Sequence, residues 1–72
     1  MILNAIIVKD SDGFFAYVPE LEGCVSEGET YEEAVENIKE ATKLYLETLN
    51  TEEKRKILKN IVSITPIEVD NA

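Results

Sequence analysis

The sequence predicts a small α+β domain: a three-stranded antiparallel meander, a crossover helix and a final edge strand, in the order β-β-β-α-β. Three observations carry this expectation. Residues 2–18 hold two β-rich runs separated by the turn tetrad Asp10-Ser11-Asp12-Gly13. Behind Thr30, apolar residues recur at the three- and four-residue spacing of a helix face. After a second break, residues 61–69 return to a β-branched pattern. With 72 residues the chain makes a single domain, 1–72.

Residues 2–9, ILNAIIVK, read as the first strand. Ile2, Ile6 and Val8 fall on one face, and Leu3, Ala5 and Ile7 on the other. Gly13 supplies the freedom that the turn needs, and residues 14–18 return with Phe14, Ala16 and Val18 opposite Phe15 and Tyr17. Pro19, lacking an N–H, ends the ladder, and Gly23 and Gly28 bracket a short third strand from Cys24 to Glu27. Thr30 and Glu33 form a capping box that opens a helix running to about Asn50. Its buried stripe is Ala34, Val35, Ile38, Ala41, Leu44, Tyr45 and Leu49. Residues 51–60 suggest a short second helix capped by Thr51, with Ile57 and Leu58 against the body. The last strand, 61–69, is interrupted by Pro66, which places it at a sheet margin.

One helix covers only one face of such a sheet, and a core this small supplies about 3–5 kcal/mol. A homodimer or homotetramer is the expected remedy for the remaining apolar face.

Fifteen acidic and seven basic residues give a net charge of −8. Nine of the acids lie between Asp10 and Ile38, where there is no Lys or Arg, while Lys54, Arg55, Lys56 and Lys59 cluster. A surface of this sign repels nucleic acid and anionic membranes and favours a cationic partner. The basic cluster reads as a solvated helix end, so no direct nucleic-acid binding is expected. The lone Cys24 fits a reducing compartment, and no leader or membrane span precedes the domain, so a cytoplasmic location is expected.

The chain has no histidine, which removes the commonest general base, the commonest metal ligand and every His-assisted nucleophile. Cys24 has no basic neighbour in sequence to activate it and reads as a small buried strand residue. Asp10 and Asp12 sit in a turn, Glu20 and Glu22 in a loop at the other strand end. The hairpin keeps these pairs apart, so a two-metal carboxylate site is not expected. The residues describe a binding module without cofactor or metal, not a catalyst.

Asp12-Gly13-Phe14-Phe15-Ala16, Val18-Pro19-Glu20-Leu21-Glu22-Gly23-Cys24, Glu27-Gly28-Glu29-Thr30, Glu32-Glu33-Ala34, Asn37-Ile38 and Glu40-Ala41 together resemble, in order, the signature of HicB-like antitoxins. The resemblance spans about residues 2–49. It implies a partial RNase H-like fold with sheet order 3-2-1-4, assembly into dimers or tetramers, and an antitoxin that masks the active site of a small basic HicA-type mRNA-cleaving toxin. Gly13, Pro19, Gly23, Cys24, Gly28, Thr30, Glu33 and Ala34 are the signature positions that build the fold. Glu20, Glu22, Glu27 and Glu29, around the third strand, are the candidate partner contacts. No residues after Val69 supply the DNA-binding module that family antitoxins often carry, and the first strand lacks the acids of true RNase H enzymes. Neither operator binding nor nuclease activity is therefore implied. The alternative is a stand-alone oligomer that binds a small molecule or another protein without a toxin partner.

Overall fold

The computed structural model describes residues 1–60 and 65–70, with the side chains of Leu58 and Asn60 excepted. Strands β1 (Ile6–Asp10), β2 (Gly13–Tyr17) and β3 (Val25–Gly28) precede helices α1 (Tyr31–Glu47) and α2 (Thr51–Asn60). The described sheet is an antiparallel meander in the order β1-β2-β3, as the hairpin and loop chemistry predicts.

β1 and β2 pair from Ile6↔Tyr17 to Asp10↔Gly13, so the hairpin turns on Ser11 and Asp12 alone. The Asp10 carboxylate stiffens it by accepting from the Asp12 N–H at 2.8 Å. β1 starts at Ile6 rather than Ile2, and Ile2 is 92% exposed. Its partner explains the shortening: beyond Tyr17 the chain turns into the Pro19 loop, and among the described residues no strand pairs with residues 2–5. That loop is compact, with Leu21 N donating to Val18 O, Cys24 N to Leu21 O and Val18 N to Cys24 O, all at 3.0–3.1 Å. The ladder thus continues one step, to Val18, before it ends. Gly23 adopts φ +78°, the left-handed region that disfavours side chains.

α1 lies across one face of the sheet. The core is Ala16, Val18, Leu21, Cys24, Ala34 and Ile38, with Leu3, Ile7, Phe14, Ala41, Tyr45, Leu46 and Ile57 packed around it. Phe14, Ala16 and Val18 therefore face the helix, and Phe15 and Tyr17 face away. Helix and sheet meet without a side chain between them at Gly28: a Cβ there would lie 2.5 Å from the Ala34 nitrogen. The α1 stripe departs from expectation at Leu44, which is 54% exposed on the helix flank, while Thr42 and Leu46 turn inward. Thr42 hides its hydroxyl by donating to Ile38 O at 2.6 Å, and Cys24 Sγ lies 3.7 Å from it.

Thr30 caps α1 as predicted, its Oγ1 accepting from Glu33 N at 3.1 Å. The helix stops at Glu47, short of Asn50, because Asn50 is needed elsewhere. Its Oδ1 accepts from Glu53 N at 2.8 Å, and Glu53 Oε1 accepts from Asn50 N at 3.0 Å. This reciprocal capping box starts α2, so the α2 cap is Asn50, not Thr51. Ile57 packs on the core as expected; the Leu58 side chain lies outside the described residues.

The expected last strand is not seen in its described part. Residues 65–70 form neither helix nor strand, and Ile67 and Val69 are 81% and 67% exposed. A strand requires a partner for its backbone groups, and among the described residues the sheet ends at β1 with no ladder to residues 66–70. Residues 61–64 lie outside the described residues.

Candidate functional site

The meander dictates where its acids go. Reversal at Ser11-Asp12 brings the hairpin turn beside the end of β3, where Phe14 pairs with Gly28. α1 starts three residues later, against the same Gly28. Three stretches far apart in sequence thus converge on one open groove lined by Asp10, Asp12, Gly13, Phe14, Glu27, Gly28, Glu29, Glu33 and Asn37. Five of these nine residues are carboxylates and none is cationic, so the groove is a concentrated negative field facing solvent. Asn37 at its floor donates from Nδ2 to Glu27 O at 2.7 Å, locking α1 to β3.

The four candidate contacts do not form one patch. Glu27 and Glu29 line this groove. Glu20 and Glu22 sit on the loop between β2 and β3, at the opposite strand end. The Glu20 carboxylate is engaged within the subunit: its Oε2 accepts from the backbone N–H of Asn4 at 2.8 Å and from Asn4 Nδ2 at 2.9 Å. It works as a latch for the N-terminal segment. Glu22 is exposed beside the outer sheet face, on a shallow groove shared with Phe15, Tyr17 and Val25. Asp10, Asp12, Glu33 and Asn37 are the groove residues that sequence spacing does not single out. The antiparallel order was the signal for them, since it sets turn 10–13 against Gly28.

Apolar surface adjoins the acids on the β3 side. Val25 is 51% and Leu44 54% exposed, and both border a groove completed by Gly23, Cys24, Ala41, Tyr45 and Thr48. The outer sheet face adds Val8 at 45% and Phe15 at 38% exposure, with the Phe15 and Tyr17 rings 6.0 Å apart.

Catalytic features are sparse. Among the described residues no group of three or more His, Cys, Asp or Glu side chains is arranged to hold a metal ion. Cys24 is a buried free thiol at 4% exposure. Among the described residues no helix is long and apolar enough to cross a membrane. What the arrangement offers is a carboxylate-lined groove at one end of β3 and exposed apolar side chains at the other.

Comparison with known proteins gives a consistent picture. A family model described as the HicB_like antitoxin of bacterial toxin-antitoxin systems matches residues 3–70. A UPF0150 protein of Helicobacter pylori (strain J99) is 52% identical over 69 residues, covering 96% of each chain. A UPF0150 protein of Thermoplasma acidophilum is 41% identical over 66 residues, 90% of this chain and 96% of that one. A third, from Synechocystis, is 46% identical over 50 residues, 68% of this chain and 63% of that one. No solved structure matches the chain.

Proposed function

We propose, on the premise that the chain belongs to the HicB-like antitoxin family, that it is a non-catalytic antitoxin that neutralises a small basic HicA-type mRNA-cleaving toxin by covering its active site. The observation that carries this reading is the groove in which Asp10, Asp12, Glu27, Glu29 and Glu33 converge with no cationic residue in its lining, the Lys9 ammonium resting over the Phe14 ring 5.7 Å from its centroid. A surface that binds RNA phosphates is cationic, and a carboxylate-lined groove competes for it on the same electrostatic terms. Long-range attraction sets the encounter rate, while Val25 and Leu44 beside β3 supply the desolvated contacts that hold the complex. Glu27 and Glu29 make the first contacts in this reading. Glu22 is a peripheral contact, and Glu20 acts through the loop that it anchors.

Catalysis by the chain itself is not part of the proposal. Without histidine, proton transfer would fall to carboxylates, and Asp10, for one, is already bonded within its turn. The buried free thiol fits a reducing, cytoplasmic setting. We also read the domain as self-associating, because the outer apolar face has no cover among the described residues. An RNase H-like sheet of order 3-2-1-4 would further require a fourth strand beside β1.

The test is to measure binding and RNA protection against a purified basic HicA-type toxin, comparing the parent with the Glu27→Lys, Glu29→Lys double variant. Both side chains are exposed, so circular dichroism should match the parent. At low salt the association rate should fall by about 10-fold or more, with the difference shrinking as salt rises. Binding and protection equal to the parent's at low salt would refute the groove as the toxin-facing surface. A parent that never binds such toxins would favour the stand-alone alternative.

A further inference from the structure

The sheet has two margins, and they are not equivalent. The β3 margin is guarded: Asn37 takes the outward carbonyl of Glu27, and the backbone of α1 presses on Gly28. The β1 margin is not guarded in this way among the described residues. Because the Glu27 carbonyl turns away from β2, the alternation of an antiparallel ladder can be carried through the register Glu27↔Phe15↔Val8. It directs the backbone groups of Val8 toward β2 and those of Ile7 and Lys9 outward. Among the described residues no strand meets them, and unpaired edge groups next to apolar side chains are a template for another strand.

The same chain carries a segment with the complementary need. Residues 66–70, Pro-Ile-Glu-Val-Asp, alternate apolar and polar side chains, with Ile67 and Val69 81% and 67% exposed. Five extended residues reach roughly 17 Å, enough to run the length of the five-residue β1. Pro66 restricts how the segment can pair: its missing N–H must face away from the ladder. Alternation then turns the backbone groups of Ile67 and Val69 toward the partner strand, and Pro66 seals the new margin against further growth. Among the described residues the segment joins no strand of its own sheet.

We propose that residues 66–70 of one copy pair along the β1 edge of a second copy, each subunit donating its fourth strand to the other. Reciprocal donation closes with two-fold symmetry, fills both open margins at once and leaves no edge for a third chain. It deepens the self-association reading above by naming the exchanged segment and the surface that receives it. The acceptor edge meets the acidic groove only at Asp10, the last residue of β1; the other groove residues belong to the turn, β2, β3, α1 and the segment that joins β3 to α1.

The test uses the full-length chain. Sedimentation of the parent should show a dimer at micromolar concentration. Ile67→Asp with Val69→Asp should weaken that dimer by at least about 100-fold, because two apolar side chains per copy lose their burial. In a Lys9→Cys, Glu68→Cys double variant, a short bismaleimide should link two chains into a band of twice the monomer mass. The parent, whose one thiol is buried, and the single variants serve as controls. A link confined to one chain would show that the segment docks on its own subunit, and would overturn the exchange. A parent dimer without the interchain link would overturn the exchange while leaving self-association intact; a parent that stays monomeric to about 100 μM would overturn both.

Discussion

Gly28→Ala should be the most damaging single-methyl change in this domain. The added Cβ would lie 2.5 Å from the Ala34 nitrogen, 2.9 Å from the Glu33 carbonyl carbon and 3.0 Å from the Ala34 Cα. All three are backbone atoms in the first turn of α1, so no rotamer change relieves the clash. The helix must lift from β3, which also stretches the Asn37 bond to the Glu27 carbonyl, 2.7 Å in the native fold. Overpacking of this kind costs about 1–3 kcal/mol, and loss of the Asn37 bond adds about 1 kcal/mol. A core that supplies about 3–5 kcal/mol would lose most of its margin. Urea unfolding followed by far-ultraviolet circular dichroism reads the loss directly. With a slope of about 1 kcal/mol per molar for so small a domain, the midpoint should fall by about 2 M or more. Parent and variant must be compared at equal protein concentration, since association couples to stability. Gly23→Ala is the informative contrast: nothing lies within 4 Å of its added Cβ, and only φ +78° resists it, at about 1–2 kcal/mol. Because the obstruction at Gly28 is backbone, adding Ala34→Gly should not rescue Gly28→Ala. A Gly28→Ala midpoint within about 0.5 M of the parent would refute the bare helix-on-strand contact.

Ile38→Ala should cost about 2–5 kcal/mol, because Ile38 is 2% exposed at the centre of the core; thermal melts should show little folded protein left. Thr30→Ala should cost about 1 kcal/mol through loss of the bond to Glu33 N, and Thr30→Ser should recover most of it. Glu20→Ala should release the amide of Asn4, which hydrogen exchange would report as faster exchange at residues 4–5 with the helices unaffected. Pure protein incubated with labelled RNA and magnesium should show no cleavage above buffer, and Asp12→Asn should change nothing; turnover that vanishes in this variant would contradict the non-catalytic reading.

The sequence made the meander, the Thr30 cap and the split of Phe14, Ala16 and Val18 from Phe15 and Tyr17 legible, because each rests on local chemistry or on period-two alternation. It was less informative where a residue's role depends on a distant one. Leu21 is 2% exposed, yet as the lone apolar residue in a Pro/Gly loop it carries no periodicity. The end of α1 depended on Asn50 being claimed by α2, a competition invisible to an apolar stripe that continues to Leu49. The acidic groove needed the register: Asp10, Asp12, Glu27 and Glu33 belong to different elements until the hairpin and the Gly28 contact bring them together. The pattern of residues 61–69 reads as a strand, which records a propensity to pair but not which chain provides the partner.

Charge and hydrophobicity are divided between the two sheet margins, and that division bears on how one small domain could hold two kinds of neighbour. Glu27 and Glu29 lie on the β3 side, where Asn37 and α1 already obstruct strand addition. A partner there is recognised by side-chain charge and shape rather than by a generic backbone ladder. At β1, the outward groups of Ile7 and Lys9 would accept any extended segment of suitable alternation, which is a hazard in an isolated subunit. Supplying that segment from an identical chain ties occupancy of the promiscuous edge to the protein's own concentration. The selective margin then remains open to a cationic partner. In this scheme dimer formation and toxin capture use surfaces that meet only at Asp10, the end of β1, and a stretch of 72 residues serves both because each margin is specified by a different force.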